Sequence, residues 1–323
     1  MSIASQTQKA KRWIRTRAGK EALALYLFIS PWAIGFFILT IGMMLAGIAV
    51  TFTNYDGIMD LSTLKFWGLK NYLRIEQDID DLARVFGNTV IYAVITVPLG
   101  QVIALFLASL LNQDVKGRNV FRTLYYLPRV LPAVAVVVAW KVLVDKNFGL
   151  VNAFLSLFRP GTAINWLSNE YIRYILIIMA LWGGVGGGMV IYLAGLQGIP
   201  DELKEAAMID GANVWQVFRH VTIPLLTPVM FFQVTSGLVG AMQVLAQPIL
   251  LSGALGGYQA TGSSLASQPR RSIEMWSNFA MRQVFGNYKY GYGVVLLWMM
   301  FVVVGILSVL NFRLSTYWVH YEE

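Results

Sequence analysis

Cysteine is absent from the 323 residues, which excludes disulfide staples and thiolate metal centres. Histidine is nearly absent: His220 and His320 are the two, and they are not in a metal-ligand spacing. Charge is scarce as well. Asp, Glu, Lys and Arg make up 13% of the chain, about half of the roughly 25% carried by a soluble domain, while 57% is hydrophobic. Such a composition belongs in a bilayer. No G-x-x-x-x-G-K-[ST] string is present to cradle nucleotide phosphates. Gly257-Tyr258-Gln259-Ala260-Thr261-Gly262-Ser263 comes nearest and lacks the lysine, so it reads as a loop. The short alternating strands of a transmembrane barrel are also missing.

What the chain has instead is a series of long apolar runs. A helix needs about 20 residues to cross roughly 30 Å of hydrocarbon, and six segments qualify: Ala22–Val50, Asn88–Leu111, Leu124–Val144, Ile172–Leu196, Pro224–Leu251 and Gly291–Leu310. The first is too long for the ~7–15-residue core of a signal peptide. Backbone groups in lipid must be satisfied within the segment, so each run is expected to be helical. The expected fold is all-α, with six transmembrane helices. Residues 1–21 form a basic arm, 22–313 the membrane domain and 314–323 a short tail.

The net charge is +8, but its distribution argues against nucleic acid. Lys9, Lys11, Arg12, Arg15, Arg17 and Lys20 crowd the N-terminus rather than alternating with aromatics over one surface. Basic residues favour the cytoplasmic side. The next connection is acidic, with Asp56, Asp60, Glu76, Asp78, Asp80 and Asp81, and the turn after the second span returns to Lys116, Arg118 and Arg122. This alternation places both termini in the cytoplasm of a multi-pass protein in the cytoplasmic (inner) membrane. The later loops fit less well: Arg270, Arg271, Arg282 and Lys289 fall outside the cell.

Between the fourth and fifth spans lies a polar island, 197–223. Gly198-Ile199-Pro200-Asp201-Glu202 has the chemistry of a helix start, with proline in the first turn and acids at the positive end of the dipole. Glu205, Ala206, Ala207 and Asp210 follow, and Gly211 permits a turn that a Cβ would resist. A second short helix over Asn213–His220 then leads to Pro224, the expected start of the fifth span. Two small helices joined at a glycine make a knob. Its alanines allow close seating in a partner's groove, and Glu205 and Asp210 can pair with cations there. Glu-Ala-Ala alone is a common helical tripeptide; the full string with Gly211 and Pro224 at these spacings is much more specific.

That string resembles the coupling loop of bacterial ABC importer permeases. Three further stretches resemble the carbohydrate permeases of the maltose-transporter type: Trp67-Gly68-Leu69-Lys70-Asn71-Tyr72, Gly117-Arg118-Asn119-Val120-Phe121-Arg122-Thr123-Leu124-Tyr125-Tyr126-Leu127-Pro128, and Ala194-Gly195-Leu196-Gln197-Gly198-Ile199-Pro200. The resemblance implies a type I importer permease fold and a transport subunit without catalytic residues or a cofactor of its own. ATP and magnesium would sit on two separate ATP-binding subunits. It also implies a second, homologous permease, an external solute-binding protein and an oligosaccharide cargo. Within it, Glu205, Ala206, Ala207, Asp210 and Gly211 are the residues that couple to the ATPase.

The family's sugar contacts, aligned back from Pro200, fall on Gly184 and Gly187, and in the fifth span on Gly237, Gly240, Ala241 and Val244. Small residues at these positions imply a wider cavity, suited to a longer or bulkier oligosaccharide, an acidic uronate chain included. Gln233, Gln243 and Gln247 offer neutral amides on the fifth span, with Gln243 and Gln247 expected on one helix face. For these the alternative is hydrogen bonding between helices. Trp182 and Tyr192 are candidates for stacking on sugar rings or for ordinary packing. The run Gly183-Gly184-Val185-Gly186-Gly187-Gly188 implies either a broken helix lining a path or close helix packing. The outer connection Ser252–Tyr290 is a candidate contact for the binding protein or the second permease.

Two other functions compete. An ion-coupled secondary transporter usually carries an ionisable residue within the bilayer. Here Arg129 and Lys141 are expected toward the ends of the third span, leaving the span centres uncharged. A membrane enzyme needs an acid–base pair, nucleophile or metal cluster, and neither histidine has an evident partner.

Overall fold

A computed structural model describes residues 17–113, 116–161, 163–252 and 271–320. The basic arm up to residue 16, the Gly257–Ser263 loop, Arg270 and the last three residues lie outside it. Among the described residues the only β pairing is an isolated bridge between Thr53 and Phe66.

Helix α1 runs unbroken from Arg17 to Thr51, widened to π turns over Phe36–Gly42. It therefore already includes the end of the expected arm. A short helix, α2 (Lys70–Gln77), leads into α3 (Ile79–Leu111). Next come α4 (Arg118–Val130), α5 (Ala133–Leu143), α6 (Leu150–Phe158) and α7 (Ile172–Gln197). The knob helix α8 (Asp201–Ile209) precedes α9 (Val214–Met242), and α10 (Ala246–Leu251) follows a break. Beyond the undescribed 253–270 come α11 (Trp276–Met281), with π turns over Arg282–Gly286, and α12 (Tyr290–Ser315).

Five of these helices are long and apolar enough to cross a membrane, and α4 with α5 makes a sixth span if the bent pair is counted as one. The expected third span, Leu124–Val144, is thus not one helix: α4 and α5 meet at 100°. The cause is local. Leu131 precedes Pro132, and the proline ring drives its neighbour out of the helical region; Leu131 adopts φ −69°, ψ 140° and Pro132 φ −58°, ψ 135°. Pro31, Pro98, Pro128 and Pro228, by contrast, stay inside their helices.

The fifth span differs from expectation at both ends. Rather than starting at Pro224, α9 is continuous from Val214. Pro224 has no N–H to return to the preceding turn, and π turns over Phe218–Thr222 absorb the defect, with the Ile223 N–H reaching the Phe218 carbonyl. The Asn213–His220 segment is therefore the root of the span, not a separate helix. At the other end the helix stops at Met242, and α10 begins so that Pro248 falls in its first turn.

The core has two parts. Nearer the α1–α2 connection, Ile172, Leu176, Met179, Phe279, Tyr292 and Leu296 pack together. Nearer the knob, Ala104, Ala108, Met189, Leu193, Leu196 and Leu226 join α3, α7 and α9. Close approach of α3 and α7 to their neighbours requires small residues. A Cβ on Gly188 would lie 3.0 Å from that of Ala104, and one on Gly195 would lie 2.9 Å from Leu226.

Candidate functional site

The knob is built by two caps. At the end of α8 the Gly211 N–H reaches the Met208 carbonyl and the Ala212 N–H reaches that of Ala207, both near 3.0 Å. This is the Schellman arrangement, and it demands a left-handed residue: Gly211 has φ +86°. Immediately after it, the Asn213 side chain accepts from the Gln216 N–H at 2.9 Å while the Gln216 side chain accepts from the Asn213 N–H at 2.7 Å. This reciprocal capping box starts α9. The hinge is thus fixed on both sides within a few residues.

Buried Leu196, Ile199 and Val217 tie the knob to the bundle. Its outer surface is open. Glu205, Ala206, Asp210 and Gly211 are exposed and Ala207 is half-buried. Beside them stand the apolar residues Ile209, Val214 and Trp215, exposed by 86%, 81% and 66%. Trp215 leans on Phe218 with ring centroids 5.8 Å apart. The knob therefore presents an apolar patch edged by carboxylates, the make-up of a protein-docking surface.

The residues expected along a substrate path separate into groups. Helix α7 is continuous through the glycine run, so the broken-helix alternative is overturned there, and the glycines divide by what they face. Gly186 meets the backbone of α4 at Tyr125, and Gly188 meets Ala104 and Gln233. Gly183 and Gly184 look onto open space, and Gly187 faces the side chain of Arg129. On α9, Gly240 is open, whereas Gly237 packs on Val97 and Gln101. Ala241 and Val244 are buried in the core at 9% exposure, so neither widens an open cavity within this chain. Gln243 caps α9 and Gln247 lies in α10 across the break. They do not share a helix face as expected, because the helix ends between them.

The remaining polar candidates on α7 and α9 hold helices together. Tyr192 is fully buried and its hydroxyl donates to Gln101 Oε1 at 2.8 Å. Gln101 Nε2 donates to the Gln233 carbonyl at 3.2 Å, and Gln233 Nε2 to the Gly188 carbonyl at 3.1 Å. Of the alternatives open for Gln233 and Tyr192, interhelical bonding and packing describe what these side chains do here. Trp182 is 45% exposed and meets Trp140 edge-on at 6.1 Å.

Arg129 corrects another expectation. With the third span bent, Arg129 sits at the inner end of α4 against Gly187, one turn past Gly184 at the midpoint of α7. It is at mid-span rather than at a span end. The absence of central charge therefore no longer argues against an ion-coupled carrier.

At the end of the bundle away from the knob lies a polar clamp that the sequence reading missed. Buried Glu274 lies 3.0 Å from Arg84 and 2.8 Å from Arg282. Arg84 also pairs with Asp81 at 2.6 Å. Asn88 donates to the Arg271 and Glu274 carbonyls, and Arg173 donates to Asn88 Oδ1 at 2.7 Å and to the Ser272 carbonyl. Segment 271–286 is thereby fastened to α3 and α7. The ill-fitting positive charges of that loop are partly explained: Arg282 is neutralised within the fold.

Residues 97–319 match the family model described as binding-protein-dependent transport system inner membrane component. The chain belongs to this family. It is 34% identical, over 99% of its own length and 97% of the relative's, to the probable ABC transporter permease protein YesP of Bacillus subtilis. It is 28% identical over 92% of its length (95% of the relative's) to the probable starch degradation products transport system permease protein AmyD of Thermoanaerobacterium thermosulfurigenes. Among solved structures, a bacterial alginate ABC transporter in complex with an alginate pentasaccharide-bound periplasmic protein superposes with a TM-score of 0.77. That match is at 20% identity and covers 94% of this chain and 97% of that one, a likeness of fold. The permease is thus a multi-pass inner-membrane protein with an all-helical importer fold.

Proposed function

We propose that the permease is one half of the conducting core of an ATP-driven importer for an oligosaccharide, handed over by an external solute-binding protein. The observation that carries this reading is the rigid, glycine-hinged knob, with Ile209, Val214 and Trp215 exposed beside Glu205 and Asp210. In this reading the knob faces the cytoplasm with both termini, seats in a groove of an ATP-binding subunit and converts that subunit's closure into movement of α7 and α9, which it joins. ATP and magnesium are bound on two such subunits and not here.

The first span supports a second permease in the assembly. Helix α1 packs on the bundle chiefly through Met43–Thr51 against α12, while Tyr26, Phe28, Trp32 and Leu39 are 69–86% exposed. Those side chains suit the surface of a neighbouring subunit. Sugars in the names of relatives such as AmyD support a carbohydrate cargo. The test is ATP hydrolysis by the reconstituted assembly: addition of loaded binding protein should stimulate it, and Glu205→Lys should abolish the stimulation while leaving the permease inserted. Full stimulation in the variant would refute the role of the knob.

A further inference from the structure

We propose that Arg129 is the charge-selecting residue of the translocation path and that it favours an anionic oligosaccharide, a uronate chain, over a neutral one. The proposal rests on the importer reading and adds the class of cargo. Three observations carry it. The first is depth. Helix α4 has 13 residues, about 20 Å of rise, enough to bring its inner end from a membrane face to mid-bilayer. There α4 stops at the Leu131–Pro132 bend, so the guanidinium is presented at the tip of a half-span.

The second is isolation. Among the described residues no carboxylate ion-pairs with Arg129, and its side chain is exposed. By contrast, Arg84 and Arg282 are engaged by Glu274, and Lys141 donates to the Leu250 carbonyl. An unpaired cation at mid-membrane depth is strongly disfavoured by hydrocarbon and marks a polar pathway.

The third is room of the right shape. A Cβ on Gly187 would come to 3.7 Å from Arg129 Nε, whereas Gly183 and Gly184 meet nothing within 4 Å. Helix α7 thus leaves its midpoint bare beside the guanidinium. A planar guanidinium binds a carboxylate through two parallel hydrogen bonds, which distinguishes a uronate from a neutral sugar of the same size.

The experiment uses the complete assembly in proteoliposomes with its binding protein. A uronic-acid trisaccharide and a neutral trisaccharide of equal length are the probes, and binding-protein-stimulated ATP hydrolysis is the parallel readout. The unaltered complex is expected to take up the acidic probe, R129Q to show at least about a tenfold rise in KM for it, and R129K to stay within a few-fold, with stimulated hydrolysis retained in both. Unchanged acidic uptake by R129Q overturns the proposal. So does an unaltered complex that admits only the neutral probe. Failure of R129Q to assemble with the second permease, rescued by R129K, also overturns it and assigns Arg129 to a carboxylate of that partner. Absence of stimulated hydrolysis in the unaltered complex would instead refute the importer reading itself.

Discussion

The carboxylate of Glu274 and the guanidinium of Arg84 are 3.0 Å apart, joining the last connection of the chain to the start of its second span. Glu274 is 4% exposed and serves Arg282 as well. Removing one member of a buried pair leaves the other charges uncompensated, typically at about 3–5 kcal/mol. Glu274→Gln is therefore expected to lower the stability of the purified permease by about 3 kcal/mol, the low end, because Arg84 keeps Asp81. A thermal melt in detergent reads this out. Coincident melting curves for the variant and the unaltered protein would show that the clamp holds nothing.

A sharper contrast is available on α7. A Cβ on Gly186 would collide with the carbonyl oxygen of Tyr125, which is backbone and cannot rotate away, while one on Gly184 meets open space. Overpacking of this kind costs about 1–3 kcal/mol. Gly186→Ala is expected to separate α4 from α7 and lower the melting temperature, with Gly184→Ala indistinguishable from the unaltered protein. Equal behaviour of the two would mean that the helices are further apart than described.

What the sequence reveals and conceals here follows from the range of each interaction. Spans are legible because each is a local apolar run, and the knob because Gly211 and the caps around it act within a few residues. The bend at Leu131–Pro132 is legible only in part. Pro128, three residues from Leu131, stays within a helix and Pro132 ends one, and the two prolines alone do not say which of them breaks the span. Misjudging the bend also misplaces Arg129, whose depth depends on it. Likewise the end of α9 at Met242 has only Pro248 as a forewarning, so Gln243 and Gln247 read as neighbours on a helix that stops between them. The Glu274 clamp joins residues from three distant segments, and no spacing rule reaches that far.

The knob gives a third prediction. Any L-residue at Gly211 must adopt φ +86°, at about 1–2 kcal/mol, and the strain is confined to an exposed turn. Gly211→Val is expected to leave membrane insertion intact and to reduce ATPase coupling severely. Trp215→Ala removes the largest exposed side chain of the patch, and tryptophan at an interface centre commonly contributes 2 kcal/mol or more. Affinity for the ATP-binding subunit should fall by about tenfold or more, measured by titration of that subunit onto detergent-solubilised permease. Undiminished affinity in Trp215→Ala would place the docking contact elsewhere.

The natural absence of cysteine makes the first span directly testable. Phe28 is 86% exposed and Trp32 69%, and both lie on the part of α1 that the bundle leaves uncovered. In the proposed two-permease core these side chains lie against the neighbouring subunit, so single cysteines at either position should cross-link to cysteines scanned along one face of that subunit. A cysteine replacing Leu176, which is fully buried in this chain's own core, should not. Lipid contact alone would predict no cross-link at Phe28 or Trp32 under any pairing. A periodic pattern, repeating every three to four residues along the partner's helix, would identify a packed helix face rather than chance collision.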